Sequence, residues 1–300
     1  MKNTNNIYCL ALGLIVGSGI FYQFTTKDSE QITNESHVYI PTNINFAGER
    51  VPTEIIDVKE RLDREFLVNI NLHSSTSLII KRANKFFPII EPILAKNGIP
   101  EDFKYLCVIE SALSNATSSA GAKGFWQFMP ATAKEYNLEV TETVDERNHL
   151  IKSTEAACRY LKRAYNKFGN WTLVAAAYNR GMGGIENQLN VQGVDDYYDL
   201  FLNEETSRYV FRILALKEIM QHPEKYGYKL PKDALYQNVK TKSVTVSETI
   251  PNLQTWALSQ GINYKTLKYH NPWLISTSLQ VNNGKSYEVT IPLEGYKRKK

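Results

Sequence analysis

Cysteine is scarce in this chain of 300 residues: Cys9, Cys107 and Cys158 are all it has, and no two form a Cys-x-x-Cys pair. A disulfide-stapled scaffold and a thiolate zinc site are therefore excluded as organising principles. The five histidines are scattered, and no HExxH, Walker A, GxGxxG or GxSxG string is present, which removes the usual arrangements for a metal, a nucleotide phosphate or an acyl-transfer nucleophile. No metal and no cofactor is expected. Charge of one sign is lacking as well. Lys and Arg number 35 against 31 Asp and Glu, a net +4, too weak and too dispersed for a nucleic-acid footprint. With 43% hydrophobic and 22% charged residues, neither wholesale disorder nor a polytopic membrane protein fits.

One apolar run does stand out. Residues 7–24, IYCLALGLIVGSGIFYQF, carry no charge and follow Lys2; the run is long enough for a marginal membrane span and reads as an export signal. Val16-Gly17-Ser18-Gly19 supply only part of a cleavage site, which favours a membrane anchor over a cleaved signal peptide for residues 1–26. Cys9 lies too near the start for a lipoprotein site. The rest of the chain is then expected outside the cytoplasm, in the periplasm or cell envelope. Residues 27–50, rich in Thr, Asn, Ser and Glu without a sustained apolar period, read as a linker.

From residue 51 to about 230 the period is helical. Val58, Leu62 and Phe66 recur at turn spacing, and an apolar stretch follows, broken by Pro88 and Pro92 and closed by Gly98. Ala157, Tyr160, Leu161, Ala164, Tyr165 and Phe168 form a stripe that Gly169 ends, Trp171 to Asn179 another that Gly181 ends, and Asn203 is positioned to cap a helix running to about Gln221. Cys107 and Cys158 sit in apolar helical patterns as buried free thiols. Beyond Pro231 the character changes. β-branched runs at 239–246 and 287–291 flank helical pieces at 253–259 and 264–269, which marks residues 236–294 as a small α+β module. A basic tail, 295–300, closes the chain. Tyr (18) and the other aromatics (11% in all) suit a carbohydrate ligand, because their rings stack on flat apolar faces and offer a polar tip.

Within this order, Phe103, Leu106, Cys107 and Glu110 fall at i, i+3, i+4 and i+7, which puts a carboxylate on the apolar stripe of a helix. Desolvation there should hold the Glu110 proton to a higher pH than on a surface Glu, as a general acid near neutrality requires. A buried Glu paired with an Arg for structural reasons fits the pattern equally. Gly124-Phe125-Trp126-Gln127-Phe128-Met129-Pro130 then sets one amide among large side chains, either a lined groove or plain core, and Ala177-Tyr178-Asn179-Arg180-Gly181 brings polar tips to a helix end. Asp145 and Glu146 lie beside Arg147 and read as an ion-pair cluster or helix start.

Together Ile109-Glu110-Ser111, Gly124 to Pro130, Ala177 to Gly181 and Glu205-Thr206-Ser207-Arg208-Tyr209-Val210 resemble, in order and spacing, the four motifs of the soluble-lytic-transglycosylase (SLT) family. The resemblance covers roughly residues 51–226. It implies a mainly α chain whose lysozyme-like helical domain cuts the β-1,4 bond between N-acetylmuramic acid and N-acetylglucosamine in peptidoglycan. Glu110 would be the sole catalytic acid and base, with Ser111, Gln127, Met129, Tyr178, Asn179 and Tyr209 binding the saccharide. The C-terminal module resembles a degenerate LysM repeat, with Ser247-Glu248-Thr249-Ile250 where Gly-Asp-Thr-Leu is usual. A hydrolytic muramidase of the same fold and a non-catalytic peptidoglycan-binding scaffold are the competing readings.

Overall fold

The computed structural model describes residues 39–296. The expected anchor, the first part of the expected linker and the last four residues of the basic tail lie outside the described residues. Among the described residues no helix is long and apolar enough to cross a membrane.

The chain is mainly helical, with a small strand-bearing unit at its C-terminal end. A two-residue hairpin comes first, β1 (Asn45–Phe46) and β2 (Glu49–Arg50). Ile44, Phe46 and Val51 are buried, although residues 44–50 were expected to be linker, and the Phe46 ring meets Phe103 at 5.1 Å. Three apolar side chains in a polar stretch have no period to betray them, and it is the Ala47-Gly48 turn, both residues at positive φ, that aims them inward.

Eight helices follow: α1 (Ile56–Asn71), α2 (His73–Lys96), α3 (Phe103–Ser111), α4 (Pro130–Glu135), α5 (Leu150–Phe168), α6 (Trp171–Arg180), α7 (Met182–Gln192) and α8 (Glu204–Gln221). α8 is the central post. Tyr209, Val210, Phe211, Ile213, Leu214, Ala215, Leu216 and Ile219 are buried on every side of it, the pattern of a helix enclosed by others, and it packs against α1, α3 and α6. In α6 the run Leu173 to Ala177 is fully enclosed, and the small side chains let its neighbours approach closely. Gly169 and Gly181 end α5 and α6 as expected, both at positive φ.

Two expectations need correcting. Pro88 and Pro92 do not break the helix; α2 runs through both for 24 residues. Each ring faces solvent, where water can serve the carbonyl left without a donor, and Ile79, Ala83, Ile90 and Leu94 hold the opposite face in the core. Asn203 precedes α8 but makes no capping bond with its side chain. Its Oδ1 instead accepts from Arg180 Nη1 at 2.8 Å.

The C-terminal unit pairs β3 (Thr241–Val246) antiparallel with β4 (Tyr287–Pro292), Val244 opposite Val289, around the helices α9 (Leu253–Ser259) and α10 (Tyr264–His270). Its core gathers Leu253, Ala257, Leu267, Trp273, Leu274 and Val289, and one residue of the helical region enters it, Val144. Residues 40–296 thus belong to one compact unit.

Candidate active site

α3 presents Glu110 in its last turn. The helix is buried from Phe103 to Val108, so the stripe that ends at Glu110 is anchored throughout. Past Ser111 the chain leaves α3 through Ala112 and Leu113, both in the left-handed region at φ 49° and 55°. Such backbone costs a non-glycine residue roughly 1 kcal/mol each. Arg82 Nη1, bonded to the Ala112 carbonyl at 2.9 Å, holds the exit.

Tyr209, 3% exposed on α8, donates its hydroxyl to Glu110 Oε1. Burial is the main cause that pushes the Glu110 carboxyl up to about 7. The Tyr209 hydrogen bond and the Arg212 charge pull it down, and the charge of Glu205 adds to the rise. Arg212 reaches the same turn of α3, its Nη2 at 3.4 Å from the Ile109 carbonyl. Burial and the neighbouring Glu110 keep the Tyr178 and Tyr209 phenols well above their ordinary value, hence protonated.

The aromatic loop lies beside α3. Cys107, three residues before Glu110, donates its thiol to the Phe125 carbonyl at 3.4 Å, and Tyr178 on α6 donates to the Trp126 carbonyl at 2.7 Å. Phe125, Trp126 and Phe128 are buried, and Trp126 Nε1 is satisfied by Thr154 Oγ1 at 2.9 Å. Gln127 departs from its neighbours: it is half-buried at φ 46°, with its amide nitrogen bonded to the carbonyls of Ala116 at 3.1 Å and Gly124 at 2.8 Å. Its side-chain oxygen remains as an acceptor. Asn179 is tied at both ends, donating to Glu205 Oε1 at 3.0 Å and accepting from Thr206 Oγ1 at 2.8 Å.

The structure thus bonds Glu110 on α3 to Tyr209 on α8, with the Tyr178 phenol close enough to feel the Glu110 charge, while Tyr178 ties α6 to the aromatic loop, Asn179 ties α6 to α8, and Gln127 bonds to the carbonyls of Ala116 and Gly124 beside it. Ser111 follows Glu110 but turns its hydroxyl back onto the Cys107 carbonyl at 3.2 Å, a helix-internal bond. Met129 is exposed at the start of α4. Sequence reasoning passed over Glu205, which stands one helical turn before Tyr209; that i, i+4 relation was the available signal. Asp145 and Glu146 open a short 3₁₀ turn, as their spacing suggested. Asp145 is 1% exposed and doubly engaged by Arg147 at 2.8 and 2.7 Å, which makes it a structural carboxylate. Cys107 and Cys158 are free and buried.

Among the described residues, a helical domain that buries the Glu110 carboxyl against Tyr209 is joined to a small β-α-α-β unit. The family described as the transglycosylase SLT domain matches residues 87–201, and the soluble lytic transglycosylase C-terminal LysM-like domain matches residues 242–295. The chain thus carries an SLT transglycosylase domain followed by a LysM-like domain. It is homologous to membrane-bound lytic murein transglycosylase D of two Escherichia coli strains, at 35% identity over 156 residues, covering 50% of this chain and 34% of each relative. The chain thus spans about a third of the length of those relatives. An X-ray structure of an inactive mutant of the lytic transglycosylase Slt from Pseudomonas aeruginosa aligns at 20% identity with a TM-score of 0.36, over 50% of this chain and 26% of that one.

Proposed function

We propose that this chain is a peptidoglycan lytic transglycosylase, cutting the β-1,4 bond between N-acetylmuramic acid and N-acetylglucosamine without water. The observation that carries the reading is the Glu110 carboxyl, pushed up to about 7 by burial and held by Tyr209. A group with that value can both give and take a proton near neutrality. Protonated Glu110 would deliver its proton to the glycosidic oxygen as the bond to C1 breaks. The substrate's own N-acetyl oxygen would support the cationic carbon, and the resulting Glu110 carboxylate would take the proton of the 6-hydroxyl as O6 closes on C1. The products are a 1,6-anhydro-N-acetylmuramic acid end and a free 4-hydroxyl.

Gln127, Tyr178, Asn179 and Tyr209, with Ser111 and Met129 at the margins, are assigned to saccharide binding. Residues 51–230 form the catalytic domain in this reading and 236–294 an accessory module, in a chain working at the cell envelope. The module's groove of about 580 Å³, lined by the 247–252 segment and Trp256, is where its own sugar contact would lie.

A second reading rests on Glu205. Ordinary glycosidases use two carboxylates, and Glu205 is near enough to raise the Glu110 value. It would make the enzyme a hydrolytic muramidase if it activated water, but its Oε1 is already bonded to Asn179. Mass spectrometry of muropeptides released from purified cell walls decides between the two: anhydro ends support the transglycosylase, and reducing muramic acid ends, one water heavier, support hydrolysis.

A further inference from the structure

Arg147 lies between two regions that the sequence shows as separate. Its side chain is 4% exposed and forks onto Asp145, and Nη1 donates to the carbonyls of Gly121 at 3.0 Å and Phe128 at 3.2 Å, the two ends of the loop that carries Gln127. The Arg147 carbonyl presses on the same loop from below its glycine: a Cβ on Gly124 would sit 1.8 Å from that oxygen. On its other side the segment belongs to the C-terminal module. Asp145 N–H donates to the Trp273 carbonyl at 2.8 Å, Ile275 N–H donates to the Thr143 carbonyl at 3.0 Å, and Val144, 0% exposed, completes the module's core. Glu139 secures the approach, paired with Lys285 at 2.5 Å and accepting from the Tyr287 hydroxyl at 3.0 Å.

We propose that Arg147, fixed in place by the LysM-like module, is a positioning residue for the loop from Gly121 to Phe128, so that module docking sets the turnover of the site. The inference rests on the reading of Glu110 and Gln127 as parts of one saccharide-cutting site. The loop is the common neighbour of the site's elements. Its Phe125 carbonyl takes the Cys107 thiol one turn from Glu110, its Trp126 carbonyl takes the Tyr178 hydroxyl, and Gln127 projects from it. A buried guanidinium that lost either its carboxylate or its carbonyl acceptors would be strongly destabilised where it stands. Any slackening of residues 143–147 is therefore passed to the loop as a shift in position. A displacement of about 1 Å at a reacting centre is enough for losses on the order of a hundredfold. If the module served only to hold the wall, its disturbance would change attachment and leave turnover on small soluble substrates alone.

Two full-length variants make matched truncations in the same core. Val144→Ala acts on the segment that leads to Arg147, and Val289→Ala acts on β4, at the position paired with Val244. The probe is a short soluble glycan strand, read by kcat and KM, together with hydrogen exchange at the amides of Lys123, Gly124 and Gln127. We expect Val144→Ala to lower kcat about tenfold with a smaller change in KM and to speed loop exchange about fivefold or more, and Val289→Ala to leave kcat and loop exchange within about twofold of wild type. Equal effects of the two variants, or an unchanged kcat with Val144→Ala, would overturn the coupling. Should Val144→Ala fail to fold, Glu139→Gln, which weakens the Lys285 pair at the surface, must show the same direction at smaller size. A wild-type chain that leaves the strands uncut counts against the reading of the site, and the exchange comparison then still decides whether the module holds the loop.

Discussion

At the scale of single residues, the site turns on how one proton is held. Burial raises the Glu110 carboxyl and the Tyr209 hydroxyl lowers it, so the two effects can be separated by substitution. Tyr209→Phe removes the donor that favours the carboxylate form while keeping the ring; the Glu110 value should rise, and the alkaline limb of kcat/KM should move to higher pH with reduced activity. A limb that stayed in place or moved to lower pH would contradict this. Glu110→Gln should lower turnover by about a hundredfold to ten-thousandfold with an unchanged circular dichroism spectrum. It should also change how stability depends on pH. Because the folded value lies above the ordinary carboxylate range, wild-type Glu110 contributes stability that is fully present below about 4.5 and is lost as pH rises through about 7. The variant carries no such group. Its melting temperature relative to wild type should therefore be higher at pH 8 than at pH 5, and a constant difference between the two pH values would refute the buried-carboxyl account.

At the scale of elements, the aromatic loop depends on a glycine. Gly124 has φ +83°, and the Arg147 backbone lies where a Cβ would go, so a side chain meets both an unfavourable conformation and an immovable atom. Gly124→Ala should destabilise the chain by at least about 3 kcal/mol in denaturant unfolding, whereas alanine at Gly183, which has open space around its Cβ position in α7, should be neutral or slightly stabilising. Much at this scale was legible in the sequence: the stripes of α5 and α6, their glycine stops, both strands of the module, and the placement of Glu110 on a buried face. What was not legible has physical causes. Periodicity cannot show that Pro88 and Pro92 face water, which is why α2 survives them. A capping residue is recognised by type, and Asn203 has the right type but a stronger partner in Arg180. The family resemblance assigns Ser111 to the saccharide, and periodicity could not show that its hydroxyl donates to the Cys107 carbonyl of its own helix. The β1–β2 hairpin was missed because its role is made by contacts far away in sequence: Glu49 accepts from the N–H groups of Trp171 at 2.6 Å and Thr172 at 2.8 Å, capping α6. Glu49→Ala should accordingly cost about 1 to 2 kcal/mol, read as a lower denaturation midpoint with the same slope.

At the scale of the whole molecule, the sequence suggests beads on a string and the structure joins them. One line of contact is the 139–147 segment against the module. A second runs along α2, where Tyr236 N–H donates to the Lys81 carbonyl at 3.2 Å, Asn84 donates to the Tyr236 carbonyl at 3.0 Å and Asn238 donates to the Lys85 carbonyl at 2.6 Å. With Val144 in its core, the module cannot open without exposing an apolar side chain and leaving Asp145 and Thr143 short of their backbone partners. Local opening of the module therefore costs a substantial share of the global unfolding free energy, and calorimetry of the folded chain should show one cooperative transition with calorimetric and van't Hoff enthalpies in agreement. Deleting residues 236–300 should lower the melting temperature of the remaining helical domain, because Val144 alone returns roughly 1.5 kcal/mol of burial to water and each kcal/mol is worth about 2 to 4 °C in a domain of this size. A fall of about 5 °C or more is expected once the lost backbone bonds are included. Two separate transitions in the intact chain, with the upper one unmoved by the deletion, would show that the module unfolds independently and only tethers the enzyme.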